Sequence, residues 1–164
     1  MLIDAHNHLQ HPVFAEGRDA LLAALPAQGI KLCVVNATRE SDWASVSSLC
    51  RAAADRLRPA YGLHPWYLSE RTVEWREKLR QQLIAEPEAS IGECGLDRWM
   101  PQPDLALQFQ VLNEHALLAR ELDRPLTIHC LRAWNELMQW LKQQPALPPF
   151  LLHSFAGPPA LIPA

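Results

Sequence analysis

Short apolar stretches alternate with helix-like ones along the whole chain, and no hairpin signal lies between them. LIDAH (2–6), KLCVVNA (31–37), RPAYGLH (58–64), ASIGECGLD (89–97), RPLTIHC (124–130) and PFLLHSF (149–155) read as strands. Residues 19–28, 41–57, 72–85, 104–123 and 132–144 read as the helices between them. Gly29 is a stop signal for the first helix, and Ser41 or Asp42 is a candidate N-cap for the second. In the third helix Val73, Leu79, Leu83 and Ile84 fall roughly on one face. Alternation of this kind predicts a parallel sheet covered by helices. The strands are apolar throughout, as they are when both faces are buried. No shift in composition marks a linker, so residues 1–164 are read as a single domain.

The polar residues of those strands are unusual in kind. Asp4, His6 and His8 stand at alternate positions, and a strand places such residues on one face. Two imidazoles so placed can share a divalent ion, with Asp4 either a ligand or an acceptor that orients a ring. Taken alone, two alternate histidines are as well explained by a polar loop. Glu93, His129 and His153 close three further apolar stretches, SIGE, LTIH and FLLH. A buried glutamate or histidine without a partner is costly. Sites assemble at the carboxyl ends of the strands in parallel α/β sheets and barrels. Four strands then deliver His6, His8, Glu93, His129 and His153 to one rim, a set suited to two metals with the carboxylate between them. Each histidine taken singly is explained as a strand cap; the recurrence at equivalent places is not.

Composition narrows the function classes. The formal charge is −3 over 164 residues, with no basic run, which argues against broad electrostatic binding of nucleic acid. A site meeting phosphate through bound metal stays open, because the metal does not show in the net charge. The four cysteines are scattered without a CxxC pair, so reduced thiols and a cytoplasmic location are expected. Neither a signal peptide nor a membrane span is expected.

The segments DAHNH, GLHP, GECGLD, ALQFQVLNEHALLARELDRP, IHCLRAW and HSFAG occur in the order found in TatD-family metal-dependent hydrolases, and residues 2–157 resemble that family. The resemblance implies a TIM-type (β/α)8 barrel, a two-metal centre and phosphodiester hydrolysis by a metal-activated water, commonly on DNA. It implies that His6 and His8 hold one metal, that Glu93 bridges, and that His129 and His153 hold the second. His64 and Arg132 match positions that face substrate, although His64 precedes Pro65 and also suits a turn, and Arg132 also suits an exposed helix start. Asp97 suits a cap after the fourth strand equally well. His11 and His115 match no ligand position, and His115 reads as a surface or packing residue. Trp43, Trp75, Trp134 and Trp140 are expected to pack on the barrel, and Trp66 and Trp99 to line a cleft. The mixed N/O ligand set suits zinc, manganese or iron, with magnesium less natural at imidazole.

A full barrel takes about 250 residues, and six strands are readable here. The chain is therefore expected to be C-terminally incomplete, without the last-strand aspartate that binds metal in the family. Two other readings share these features: a same-scaffold enzyme acting on C–N or lactone bonds, and a non-catalytic remnant. A six-strand piece is also expected to associate through its open edges.

Overall fold

A computed structural model describes residues 2–162. Strands β1 (Leu2–Asn7), β2 (Ile30–Asn36), β3 (Leu57–Tyr61), β4 (Ser90–Asp97), β5 (Leu126–Leu131) and β6 (Phe150–Leu152) alternate with helices α1 (Arg18–Ala24), α2 (Trp43–Ala52), α3 (Trp75–Ala85), α4 (Leu105–Leu122) and α5 (Trp134–Gln143). The strands form one sheet in sequence order, and every pairing is parallel. The sheet is curled. β1 and β6 lie at opposite edges, yet the ring of His6 in β1 stacks on that of His153 just after β6, with centroids 3.9 Å apart. This is the α/β barrel architecture expected from the sequence, represented by six strands.

The core lies between sheet and helices. Leu57, Ile91, Leu96, Leu126 and Ile128 from the strands meet Leu79, Leu83, Leu112, Leu118 and Leu137 from the helices, all fully buried. Trp43, Trp75, Trp134 and Trp140 pack into it as expected, and two of them satisfy their indole N–H there. Trp43 donates to Gly62 O at 3.1 Å and Trp140 to Asn113 Oδ1 at 2.7 Å.

Several element ends differ from the sequence reading. α2 stops at Ala52 rather than 57, because Leu57 is taken into β3, where it pairs with Cys33. Asp42 precedes α2, but its carboxylate turns back to the Thr38 and Arg39 backbone N–H groups instead of capping forward. β3 stops at Tyr61, which leaves His64 in a loop. α3 begins at Trp75, and Val73 is 92% exposed rather than on the buried face. The Thr72 N–H and hydroxyl both bind Glu40, which holds that segment outside the helix. Ile84 is also half exposed.

His115 in α4 is fully buried and is a packing residue. Its Nδ1 donates to Val111 O at 2.7 Å and its Nε2 accepts the Leu63 N–H at 3.2 Å, which anchors the loop leading to His64. Burial lowers its pKa from 6.5 to about 4. The unfolded chain therefore takes up the proton first as pH falls. The ring costs nothing above about pH 6.5, and its penalty grows until about pH 4. The full loss is on the order of 3 kcal/mol. Urea unfolding at neutral and acid pH, compared between the wild type and His115→Gln, should show a smaller acid loss in the variant by about that amount; equal losses would contradict it.

The edges carry Leu2 and Ile3 on β1, and Phe150 and Leu151 on β6, all exposed. Unpaired apolar edges favour association. Light scattering of the isolated chain is expected to show oligomers, and a stable monomer would contradict this.

Candidate metal centre

Glu93 is the fourth residue of β4 and is 2% exposed. β4 continues to Asp97, so the carboxylate projects from within the strand and not from its last residue. Its two oxygens face different partners. Oε2 lies 3.3 Å from His6 Nε2 and 3.2 Å from His8 Nε2. Oε1 lies 2.7 Å from His153 Nε2, 3.1 Å from His129 Nδ1 and 3.5 Å from His64 Nε2. All five residues expected at one rim are thus brought together. His64, expected to face substrate, sits in the cluster itself. Ligand-type atoms gather as one trio of His6, His8 and Glu93 and another of His64, Glu93 and His129, within 4.8 Å in each. His153 makes the shortest contact to Glu93, so the second side offers three imidazoles.

Backbone close approach makes this convergence. A Cβ on Gly95, whose φ is 148°, would fall 2.0 Å from His129 O, so β4 and β5 approach more closely than a side chain permits. Hydrogen bonds then fix the rings. His8 Nδ1 lies 2.7 Å from Asn36 O at the end of β2, and a carbonyl accepts only, so the proton sits on Nδ1. His129 Nε2 lies 3.0 Å from Asp97 Oδ2. Asp4 reaches no imidazole: it accepts the His6 N–H and the Asn7 side-chain amide, curling back along its own strand. The ring-orienting role read for Asp4 belongs to Asn36 O and Asp97. Asp97 suits a cap by its sequence position, and its place four residues after Glu93 on an alternating strand also puts both on one face.

The electrostatics follow from burial and the shared carboxylate. Burial alone would raise Glu93, but the close imidazoles of His129, His153, His6 and His8 outweigh it and hold the carboxyl far below the usual range. Burial lowers His6 below its ordinary value. It also pulls on His8 and His129, but Glu93, with Asn36 O for one and Asp97 for the other, raises both. His64 is pushed down to about 4 by burial and is neutral at pH 7.

The residues fit a divalent cation. No lysine or arginine partners the buried Glu93 among the described residues. With its proton on Nδ1, neutral His8 aims a lone pair at Glu93 Oε2, and His6 Nε2 faces His8 Nε2 at 3.3 Å. On the other side His129 Nδ1 faces His153 Nε2, also at 3.3 Å. A buried carboxylate ringed by imidazole nitrogens, with no lysine or arginine beside it among the described residues, calls for positive charge in the cluster.

A groove of about 740 Å³ opens over the cluster. His8, His64, Glu93, His129 and His153 line its floor, and Phe14, Arg39, Trp66 and Tyr67 its walls. Trp66 is 47% exposed, with its indole N–H on Asp97 Oδ2 at 2.8 Å. The Arg39 guanidinium lies 3.4 Å over the Tyr67 ring. His11 also borders the groove, exposed, accepting the Val13 N–H. Arg132 does not line it. Arg132 has a left-handed backbone, φ 55°, and an exposed side chain 5.2 Å from the Trp99 ring centroid. Trp99 is therefore beside Arg132 rather than in the groove. No described helix is long and apolar enough to cross a membrane.

Known proteins resemble this chain in sequence and fold. YjjV of Escherichia coli K12, named an uncharacterized metal-dependent hydrolase, is 31% identical over 160 residues, which cover 94% of this chain and 60% of YjjV. The 3'-5' ssDNA/RNA exonuclease TatD of Erwinia amylovora is 31% identical over 159 residues, covering 95% and 61%. The crystal structure of YjjV superposes with a TM-score of 0.90, over 98% of this chain and 62% of that one. A TatD-family hydrolase of Entamoeba histolytica shares the fold at 19% identity, with a TM-score of 0.78 over 87% and 54%. The chain spans about three fifths of the length of the curated relatives it matches. The family model described as TatD related DNase matches residues 3–164, and the chain belongs to that family.

Proposed function

We propose that this chain carries the metal-holding part of a hydrolase that cleaves phosphodiester bonds in DNA. The observation that carries the reading is Glu93, whose two oxygens each face a separate set of imidazoles. His6, His8 and Oε2 would hold one divalent ion, and His129, His153 and Oε1 the other, with His64 beside it. Zinc or manganese suits so nitrogen-rich a set better than magnesium. Bound there, the ions supply Lewis-acid activation of water and of a phosphoryl oxygen.

The chain's own groups do the rest. Glu93 stays ionised and offsets the repulsion between two cations. Asn36 O and Asp97 fix the rings of His8 and His129, so the donor atoms need no reorganisation. Neutral His64 presents Nε2 at the groove floor. Arg39 is the cation of the groove wall, laid over Tyr67 and paired with Glu70, while Trp66 and Phe14 offer faces to unstacked bases. Exposed aromatic faces at the groove suit unpaired bases, which favours a single strand as substrate. Four free, buried cysteines support a cytoplasmic location.

Incubation with labelled single-stranded DNA and manganese tests the reading. Cleavage that a chelator stops is expected, and turnover of lactones or amides in place of DNA would overturn it. Trp66→Ala should weaken binding of the DNA by about 1–3 kcal/mol, the worth of one stacked base. An unchanged dissociation constant would remove Trp66 from the substrate path.

A further inference from the structure

The groove wall that bears Trp66 and Tyr67 is a 3-10 turn, Pro65–Glu70, in the loop between β3 and α3. It lies outside the sheet, so no strand ladder fixes it. Its near end is held at the cluster by the Trp66 indole N–H on Asp97 Oδ2. Its far end is held by the neighbouring loop, between β2 and α2. Glu40 of that loop accepts the Thr72 N–H and, at 2.8 Å, the Thr72 hydroxyl. Lys78 Nζ lies 3.4 Å from Glu40 Oε1 and donates to Thr72 Oγ1 at 2.9 Å. Arg39 pairs with Glu70 at 3.2 Å. The loop that supplies these groups is closed on itself, because Asp42 Oδ2 accepts both the Thr38 N–H and its hydroxyl at 3.0 Å. A loop tied in this way is a firm anchor for its neighbour.

The two clasps differ in weight. The Arg39 and Glu70 side chains are 33% and 49% exposed, and pairs so wet contribute little. The Glu40 side chain is 13% exposed, and hydrogen bonds to an ionised carboxylate withdrawn from water are of the strong kind. Glu40, Thr72 and Lys78 do not line the groove. We infer that Glu40 is a positioning residue for substrate: from behind the wall it clasps the loop that carries Trp66, and so fixes where that indole stands over the groove. With Glu40 removed, the turn is free to pivot on the single bond from Trp66 to Asp97. The consequence for substrate rests on the single-strand reading proposed above; the clasp itself rests on hydrogen-bond geometry.

The competing account is that burial of Pro65 and Leu68 alone keeps the turn in place. Glu40→Ala separates the two. Hydrogen exchange read by mass spectrometry should show a loss of protection confined to residues 66–72, with β4 and β5 protected as in the wild type. Binding of a labelled oligothymidylate with phosphorothioate linkages, which slow cleavage, is then measured by fluorescence anisotropy in manganese. Glu40→Ala should weaken binding about 3–10-fold alone, and less than about twofold when Trp66 is already alanine, because the two changes remove one interaction. Thr72→Val, which deletes only the hydroxyl, should show the same pattern in smaller size, and it decides the matter if Glu40→Ala fails to fold. Unchanged exchange at residues 66–72 would overturn the clasp. Equal losses of binding with and without Trp66 would overturn its action through that indole. A wild type that binds no oligothymidylate removes the single-strand reading, and exchange alone then decides the clasp.

Discussion

Exchanging Glu93 for glutamine is expected to abolish hydrolysis and to leave at most one divalent ion bound. The carboxylate stands between two sets of imidazoles and, among the described residues, is the only anion that touches both. Partners one layer out from a metal ligand are worth about 10–100-fold in affinity. Loss of a shared ligand should exceed that on both sides, by more than about 100-fold in the weaker one. The amide keeps the size of the side chain. Ile91, Cys94 and Leu96 of the same strand remain buried, so the fold should hold. Wild-type ion uptake by the folded variant would refute the bridging role.

Gly95→Ala should be the most damaging exchange for the fold itself. The added methyl would meet His129 O at 2.0 Å, far inside contact distance, and a φ of 148° strains any L side chain. The obstacle is backbone, which cannot turn away as a side chain does. β4 and β5 would have to separate at the register pair Gly95 and His129. A cost above about 4 kcal/mol is expected, of the rare severe class, against a total stability of about 5–15 kcal/mol for a domain. Denaturant unfolding would measure it, and a loss below about 1 kcal/mol would show that the strands part easily.

Strand order and the identity of the clustered residues were legible because the strands are apolar runs and four of them end or break on an imidazole or carboxylate. What local pattern does not carry is curvature. His6 lies on one edge strand and His153 just past the other, the two strands share no hydrogen bonds, and only the curl of the sheet stacks the two rings. His64 was read as a turn residue or a substrate contact. In the structure its Nδ1 accepts the Trp66 N–H while its Nε2 faces Glu93, so one ring serves both the turn and the cluster. Asp97 has the same double use, as a cap for the residues after β4 and as the partner of His129. A short sequence reads as one role when the second partner comes from another strand. Arg132 shows the converse. Its place after β5 suggests a reach toward substrate, but a left-handed backbone beside Trp99 leaves it outside the groove.

The central claim is that two divalent ions sit on opposite sides of one carboxylate. The most direct measurement is anomalous scattering from crystals of the protein soaked in manganese. Two peaks about 3.5–4 Å apart are predicted, one among His6, His8 and Glu93 Oε2, the other among His129, His153 and Glu93 Oε1. A lone peak, no peak, or manganese bound away from Glu93 would contradict the account.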